Sequence, residues 1–209
     1  MSDGSDQFAR KAARWSDAEY ASPDAYLAHR VAVVATLGTP LAPGDEVLDL
    51  ACGDGGLGPY LVAHGLAYRG VDAEPAMVEA ARRRLGPETP VDIGELDTYV
   101  PPTPVAATTV FRAIYYARDR PAFFARARSF TEKKLVFDLN PRQYAVEAIT
   151  AELEAAGFAR IVLRPFLVPQ TKRLPGLGAK TLIALERTGP LARLALRARF
   201  TYLVAAMVE

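Results

Sequence analysis

The chain has 209 residues, 50% of them hydrophobic and 23% charged, and its 25 basic and 24 acidic residues leave a formal net charge of +1. That composition excludes a disordered chain, and no uninterrupted apolar stretch approaches the roughly 18 residues needed to span a bilayer. Near-neutrality argues against a surface built for nucleic acid phosphates.

One domain with a sizeable core is expected over residues 1–209, headed by an N-terminal helical cap at 1–40. Phe8 to Trp15 and Ala25 to Leu37 read as helices. The second is opened by Ser22, Pro23 and Asp24, where serine or aspartate caps and proline fits the first turn. Strand-like and helix-like runs then alternate: strand EVLDLA (46–51), helix Leu57 to His64, strand AYRGVDA (67–73) and helix Pro75 to Leu85. A short strand near Pro90 to Ile93, a proline-rich loop at 101–104, strand Ala106 to Phe111, helix Arg120 to Phe130 and strand KLVFDL (134–139) follow. Apolar strands separated by helices indicate a mostly parallel sheet covered on both faces, a doubly wound α/β fold. After helix Ala145 to Gly157, ARIVLRPFLV (159–168) reads as a sixth strand and RFTYLVAAMV (199–208) as a seventh. Residues 169–199 read as a helical insertion, with TLIALERT (181–188) and PLARLALRAR (190–199) as two short helices. A strand at Thr181 to Leu185 is the competing reading.

The first strand runs into VLDLACGDGGLG (47–58), a G-x-G-x-x-G made by Gly53, Gly55 and Gly58. Such a turn brings backbone amides and a helix start close to a ligand, yet alone it is a weak sign, because a tight strand-to-helix turn needs glycines too. Asp49, four residues before Gly53, discriminates between ligands: a carboxylate there repels a pyrophosphate and suits an ammonium group. Asp72, at the end of the next strand, can accept both hydroxyls of a ribose.

DLACGDG (49–55) followed by GVDAEPAM (70–77) resembles the first two motifs of class I S-adenosylmethionine-dependent methyltransferases, and GELDTY (94–99) is similar to the motif after the third strand. FRAIYYARD (111–119) and LVFDLNP (135–141) stand where the family carries strand-end residues facing the site. The resemblance covers most of the chain and implies seven strands in the order 3-2-1-4-5-7-6, the last antiparallel. It implies S-adenosyl-L-methionine as cofactor. Asp49 would face its ammonium, the Ala51, Cys52, Gly53 and Gly55 backbone would wrap its methionyl part, and Asp72 would hold its ribose. Ala73 and Met77 would flank adenine, Glu95 and Leu96 would meet its edge, and Phe111 would complete the site. Asp72→Ala is expected to weaken donor binding far more than folding stability.

Sites in α/β sheets open at the carboxyl ends of the strands, so Arg112, Tyr115, Tyr116 and Asp119 are candidates on the acceptor side, with Tyr116 and Arg112 the catalytic candidates. Trp15, Tyr20 and Tyr26 could form a lid or simply pack. Cys52 reads as a small packing residue rather than a nucleophile, because no histidine falls near it in sequence. His29 reads as a surface or capping residue and His64 as a helix-end cation, neither at metal-ligand spacing, so no metal is expected. DLNPRQY (138–144) is similar to an N-P-P-Y motif but follows the wrong strand, and PGLGAKT (175–181) departs from a phosphate-binding loop by one residue. The single cysteine and the polar start MSDGSDQ point to the cytoplasm. The expected function is methyl transfer to an oxygen or nitrogen of a small molecule, a secondary metabolite or lipid-linked intermediate, by a monomer or homodimer. No nucleic acid partner and no stable membrane insertion are expected, with peripheral contact left open for the 190–200 segment. The rivals are a non-catalytic regulatory module that binds the same cofactor and a nicotinamide-dinucleotide oxidoreductase.

Overall fold

The computed structural model describes residues 23–168, 176–187 and 201–209. Helix α1 (Pro23–Thr36) precedes β1 (Glu46–Leu50), α2 (Gly58–Ala63), β2 (Ala67–Asp72), α3 (Pro75–Leu85), β3 (Val91–Ile93) and β4 (Val105–Val110). A 3-10 turn at Ile114–Tyr116 leads to α4 (Arg120–Phe130), β5 (Thr131–Leu139), α5 (Val146–Ala155), β6 (Arg160–Phe166), α6 (Gly176–Leu185) and β7 (Thr201–Met207). The strands form one sheet in the order β3-β2-β1-β4-β5-β7-β6. Pairing is parallel from β3 to β5, and β7 lies antiparallel between β5 and β6. This is the fold, strand order and reversed last strand that the resemblance implied.

Period-two alternation within the strands feeds a core on each face. Leu135 and Phe137 of β5, with Leu48 and Leu50 of β1, meet Phe123, Phe124 and Ala127 of α4 and Ile149 and Leu153 of α5. On the opposite face Val47, Val136, Leu203 and Ala205 meet Leu27, Val31 and Val34 of α1 and Leu61 of α2. All six residues of β4 are buried, which is why that strand reads as a continuous apolar and threonine run rather than an alternating one.

Strand β5 begins at Thr131, three residues before the expected Lys134. The charges of Glu132 and Lys133 hide the start of the strand from a hydrophobicity pattern, but both lysines of β5 find partners. Lys133 Nζ lies 2.6 Å from Asp45 Oδ2, and the buried Lys134 Nζ donates to the Leu37 carbonyl at 2.9 Å. Burial holds the Lys134 amine down at about 8.

At 181–185 the helix reading holds and the strand reading does not, although α6 starts five residues earlier than expected, at Gly176. Glu186, just beyond α6, is buried and accepts hydrogen bonds from Leu167 N (2.8 Å), Arg164 Nη2 (3.1 Å) and the His29 ring (2.8 Å). His29 is therefore no surface or capping residue. Its ring stacks on Phe166 with centroids 5.1 Å apart and ties α1 to α6. The helix expected at Phe8 to Trp15 and the one at 190–199 lie outside the described residues.

Candidate active site

The carboxyl ends of β1 to β4 share one edge of the sheet, and their following loops line a cavity of about 770 Å³, within the range that encloses a small organic ligand. Helix α1 closes one side with Leu27 and Arg30.

The turn after β1 forms the cavity's inner wall. Ala51, Gly53 and Gly55 all have positive φ, at 58°, 58° and 70°. Gly53 lines the cavity, and its N–H donates to Asp72 Oδ2 at 2.8 Å, which joins the turn to the end of β2. Gly55 does not line the cavity, contrary to its expected contact with cofactor. A Cβ on it would stand 2.9 Å from Leu85 Cδ1 and 3.0 Å from Ala81 Cβ, so its role is the close seating of the turn on α3. Gly58 does the same work, with Leu85 Cδ2 2.6 Å from a would-be Cβ. Asp54 secures the arrangement by accepting from Arg84 Nη2 at 2.7 Å.

Asp49 is buried on the cavity wall, where it accepts from Thr109 Oγ1 at 2.8 Å and from the Tyr68 hydroxyl at 3.4 Å. Burial raises its carboxyl to about 7, against the opposing influence of those hydrogen bonds and of the Arg30 charge. Asp72 is partly buried and accepts from both Gly53 N and Glu74 N (3.0 Å), with burial again holding its carboxyl above the ordinary range. Cys52 lines the cavity as a thiol, because burial and the charges of Asp49 and Asp72 push its pKa well up. Ala73, Met77, Glu95 and Leu96 also line it. Met77 is at once wall and packing, being buried against Ala76 and Ala80, and Glu95 is exposed.

The loop after β4 supplies the other wall with Phe111, Arg112, Tyr115, Tyr116 and Arg118. Arg112 has φ of 56°, a conformation that costs a non-glycine residue about 1–3 kcal/mol. Its N–H donates to Asp138 Oδ1, at the end of β5, at 2.7 Å, which holds the turn in place. The Tyr115 and Tyr116 rings lie 4.4 Å apart at the cavity mouth, both exposed. Burial of its ring edge and the hydrogen bond with Tyr116 push the Tyr115 hydroxyl upward. Asp119 takes no part in the cavity wall; it caps α4, accepting from Ala122 N at 3.0 Å. Tyr26 is buried against Arg30 and Phe166 rather than laid over the cavity, and Trp15 and Tyr20 lie outside the described residues.

Sequence reading missed Arg30. It is 1% exposed, yet it lines the cavity. Its guanidinium lies over the rings of Phe111 (4.3 Å) and Tyr26 (4.7 Å), Nη2 donates to the Tyr26 hydroxyl, and Asp138 Oδ2 stands 3.8 Å away. The available signal was an arginine inside the apolar stripe of Leu27, Val31 and Val34, a position where a charge is kept only with partners. Asp97 was missed as well. It lines the cavity, and its carboxylate accepts from Arg118 N at 3.2 and 3.3 Å. Among the described residues no group of three or more His, Cys, Asp or Glu could hold a metal ion, and no helix is long and apolar enough to cross a membrane.

Residues 47–134 match a family model described as a methyltransferase domain. No curated protein matches the chain. Among solved structures, a chain of the complex between the Haloferax volcanii Trm112 methyltransferase activator and a methyltransferase is 18% identical, with 97% of each chain covered and a TM-score of 0.67. A TehB-like SAM-dependent methyltransferase from Corynebacterium glutamicum is 17% identical over 98% of each chain, with a TM-score of 0.63. Magnesium protoporphyrin IX methyltransferase from Synechocystis, solved with bound SAM, is 16% identical over 97% of this chain and 84% of its own, with a TM-score of 0.59. At these identities the likeness is one of fold. The matched segment, by contrast, contains all four loops that line the cavity from β1 to β4, so the part of the chain that builds the cavity is the part similar to a methyltransferase domain.

Proposed function

We propose that the chain transfers a methyl group from S-adenosylmethionine to an oxygen or nitrogen of a small molecule. The observation that carries this reading is the placement of two buried or partly buried carboxylates, Asp49 and Asp72, at the ends of adjacent strands and on either side of the positive-φ turn. The donor supplies an electrophilic methyl group on a sulfonium.

Asp49 suits the ammonium of the methionyl part, because an arriving cation offsets the burial that otherwise favours its protonated form. Arg30, close enough to Asp49 to stabilise its charge, suits the methionyl carboxylate. Each oxygen of Asp72 accepts one backbone N–H and keeps a lone pair for a ribose hydroxyl. Ala73, Met77 and Leu96 would flank adenine, Glu95 would accept from its amino group, and Ala51, Cys52 and Phe111 would complete the wall. Arg112 and Tyr116 would hold the acceptor in line with the methyl group, and the enclosing walls would keep water from competing. A small molecule is favoured because acceptor and donor must share one cavity of about 770 Å³. The similar fold of magnesium protoporphyrin IX methyltransferase, an enzyme named for a small-molecule acceptor, supports this reading.

The Asp49 carboxylate at the end of β1, where a pyrophosphate would lie, disfavours the dinucleotide reading. The test is incubation with methyl-labelled S-adenosylmethionine and a panel of small alcohols, phenols and amines. Label is expected in a small product, and Arg30→Met is expected to raise the donor Kd about tenfold or more. Donor binding without label transfer to any acceptor would favour the non-catalytic regulatory module.

A further inference from the structure

Apart from Arg30 of α1, which lies against Phe111, Tyr26 and Asp138, the charged residues of the cavity wall are segregated. On the wall built by the loops after β1, β2 and β3, the charged side chains are Asp49, Asp54, Asp72, Glu74, Glu95 and Asp97, all acidic. On the wall built by the loop after β4 they are Arg112 and Arg118, both basic. The acidic half matches a donor that carries a sulfonium and an ammonium against one carboxylate. The basic half faces the space left for the acceptor, beside the rings of Phe111, Tyr115 and Tyr116.

Neither arginine is placed there by chance of an unconstrained surface loop. The Arg112 backbone is held at φ 56° by its N–H bond to Asp138, the carboxylate that also stands 3.8 Å from Arg30. The Arg118 backbone is held by the Asp97 carboxylate, while its side chain remains 88% exposed at the cavity mouth, with Nε 3.8 Å from Asp97. Two acidic anchors thus fix the two ends of one loop and set its cations on the acceptor side. Between them the tyrosine pair offers two aromatic faces, 46% and 54% exposed.

We infer that the acceptor carries an oxyanion, a carboxylate or a phosphate, next to an aromatic or apolar body, and that Arg112 and Arg118 recognise the oxyanion while Tyr115 and Tyr116 cover the body. The inference rests on the methyltransferase reading above, since it takes the acidic half to be filled by the donor. Guanidinium forks match both oxyanions through paired N–H donors, and a planar body stacks on exposed tyrosine rings.

The test is calorimetry on the full chain saturated with S-adenosylhomocysteine, with four probes that share a phenyl ring: phenyl phosphate, benzoate, benzyl alcohol and benzylamine. At least one anionic probe is expected to bind tenfold or more tighter than the alcohol, and benzylamine weakest. The order of phenyl phosphate and benzoate then distinguishes phosphate from carboxylate. In the Arg112→Gln, Arg118→Gln double variant the preference is expected to fall below threefold, while the Kd for S-adenosylhomocysteine stays within twofold of the parent. Equal or tighter binding of the neutral or cationic probe, no binding of either anion, or a preference that survives in the double variant would overturn the inference and leave the donor reading standing. Failure of S-adenosylhomocysteine itself to bind would instead overturn the donor reading, and this inference with it.

Discussion

Replacing Asp72 by alanine is expected to weaken S-adenosylhomocysteine binding by about 100-fold or more, and also to destabilise the empty protein by about 2 kcal/mol. The first effect follows from losing an acceptor for two ribose hydroxyls, each bond to a charged acceptor being worth about 1.5–3 kcal/mol. The second comes from the structure and narrows the gap between donor binding and stability that was expected from sequence alone. The Asp72 carboxylate receives Gly53 N–H and Glu74 N–H, so alanine leaves two backbone donors without their acceptor and frees the turn from β2. Calorimetric titration and urea denaturation of the variant separate the two. Unchanged affinity would remove the ribose assignment, and an unchanged urea midpoint would remove the bracing role. Asp72→Asn, which retains one acceptor oxygen, should fall between the parent and the alanine variant in both measurements.

The second large effect is on pH. With its carboxyl raised to about 7 by burial, Asp49 is largely protonated in the empty protein at pH 6 and largely ionised at pH 8. A ligand ammonium favours the ionised form, so affinity for S-adenosylhomocysteine should be nearly flat above pH 8 and fall about tenfold per unit well below pH 7. In that acidic range binding should release a proton, visible as a dependence of the observed enthalpy on buffer ionisation. Stability runs the other way. A carboxyl whose folded pKa lies above its unfolded value near 3.8 holds its proton more tightly when folded, so its contribution is greatest below pH 4 and is lost as pH rises toward 7. Ligand binding above pH 7 recovers part of that loss. Asp49→Asn should abolish the acidic fall in affinity and lower the plateau. A pH profile that is flat from 5.5 to 8.5 in the parent would contradict the assignment of Asp49 to the ammonium.

What the sequence showed and what it hid divide along physical lines. The β1 turn and Asp72 were legible because each is local: a strand, a run of glycines and a strand-end carboxylate lie within 26 residues of one another. Even there the pattern could not say which glycine meets the ligand. Gly53 has its partner in Asp72 and lines the cavity, whereas Gly55 and Gly58 are excluded from carrying a Cβ by Leu85 and Ala81 of α3. The extent of β5 was masked because Lys133 looks like a solvent-facing residue until Asp45 is brought beside it. Arg30 was hidden for the same reason. An arginine in an apolar helix stripe becomes a site residue only when Phe111, Tyr26 and Asp138 fold around it. His29 and Glu186 are 157 residues apart, beyond any periodicity argument. Asp119, which its place in the loop after the fourth strand made an acceptor-side candidate, does the commonest work of its residue type at a helix start.

The cavity at the carboxyl edge of the sheet is expected to accept the methionyl, ribose and adenine parts of S-adenosylmethionine. The most direct measurement is calorimetric titration of the purified chain at pH 8 with S-adenosylhomocysteine, with NADH as the control. One saturable site with micromolar affinity for S-adenosylhomocysteine and no detectable heat with NADH are expected. Binding of NADH in place of S-adenosylhomocysteine would contradict this assignment of the cavity.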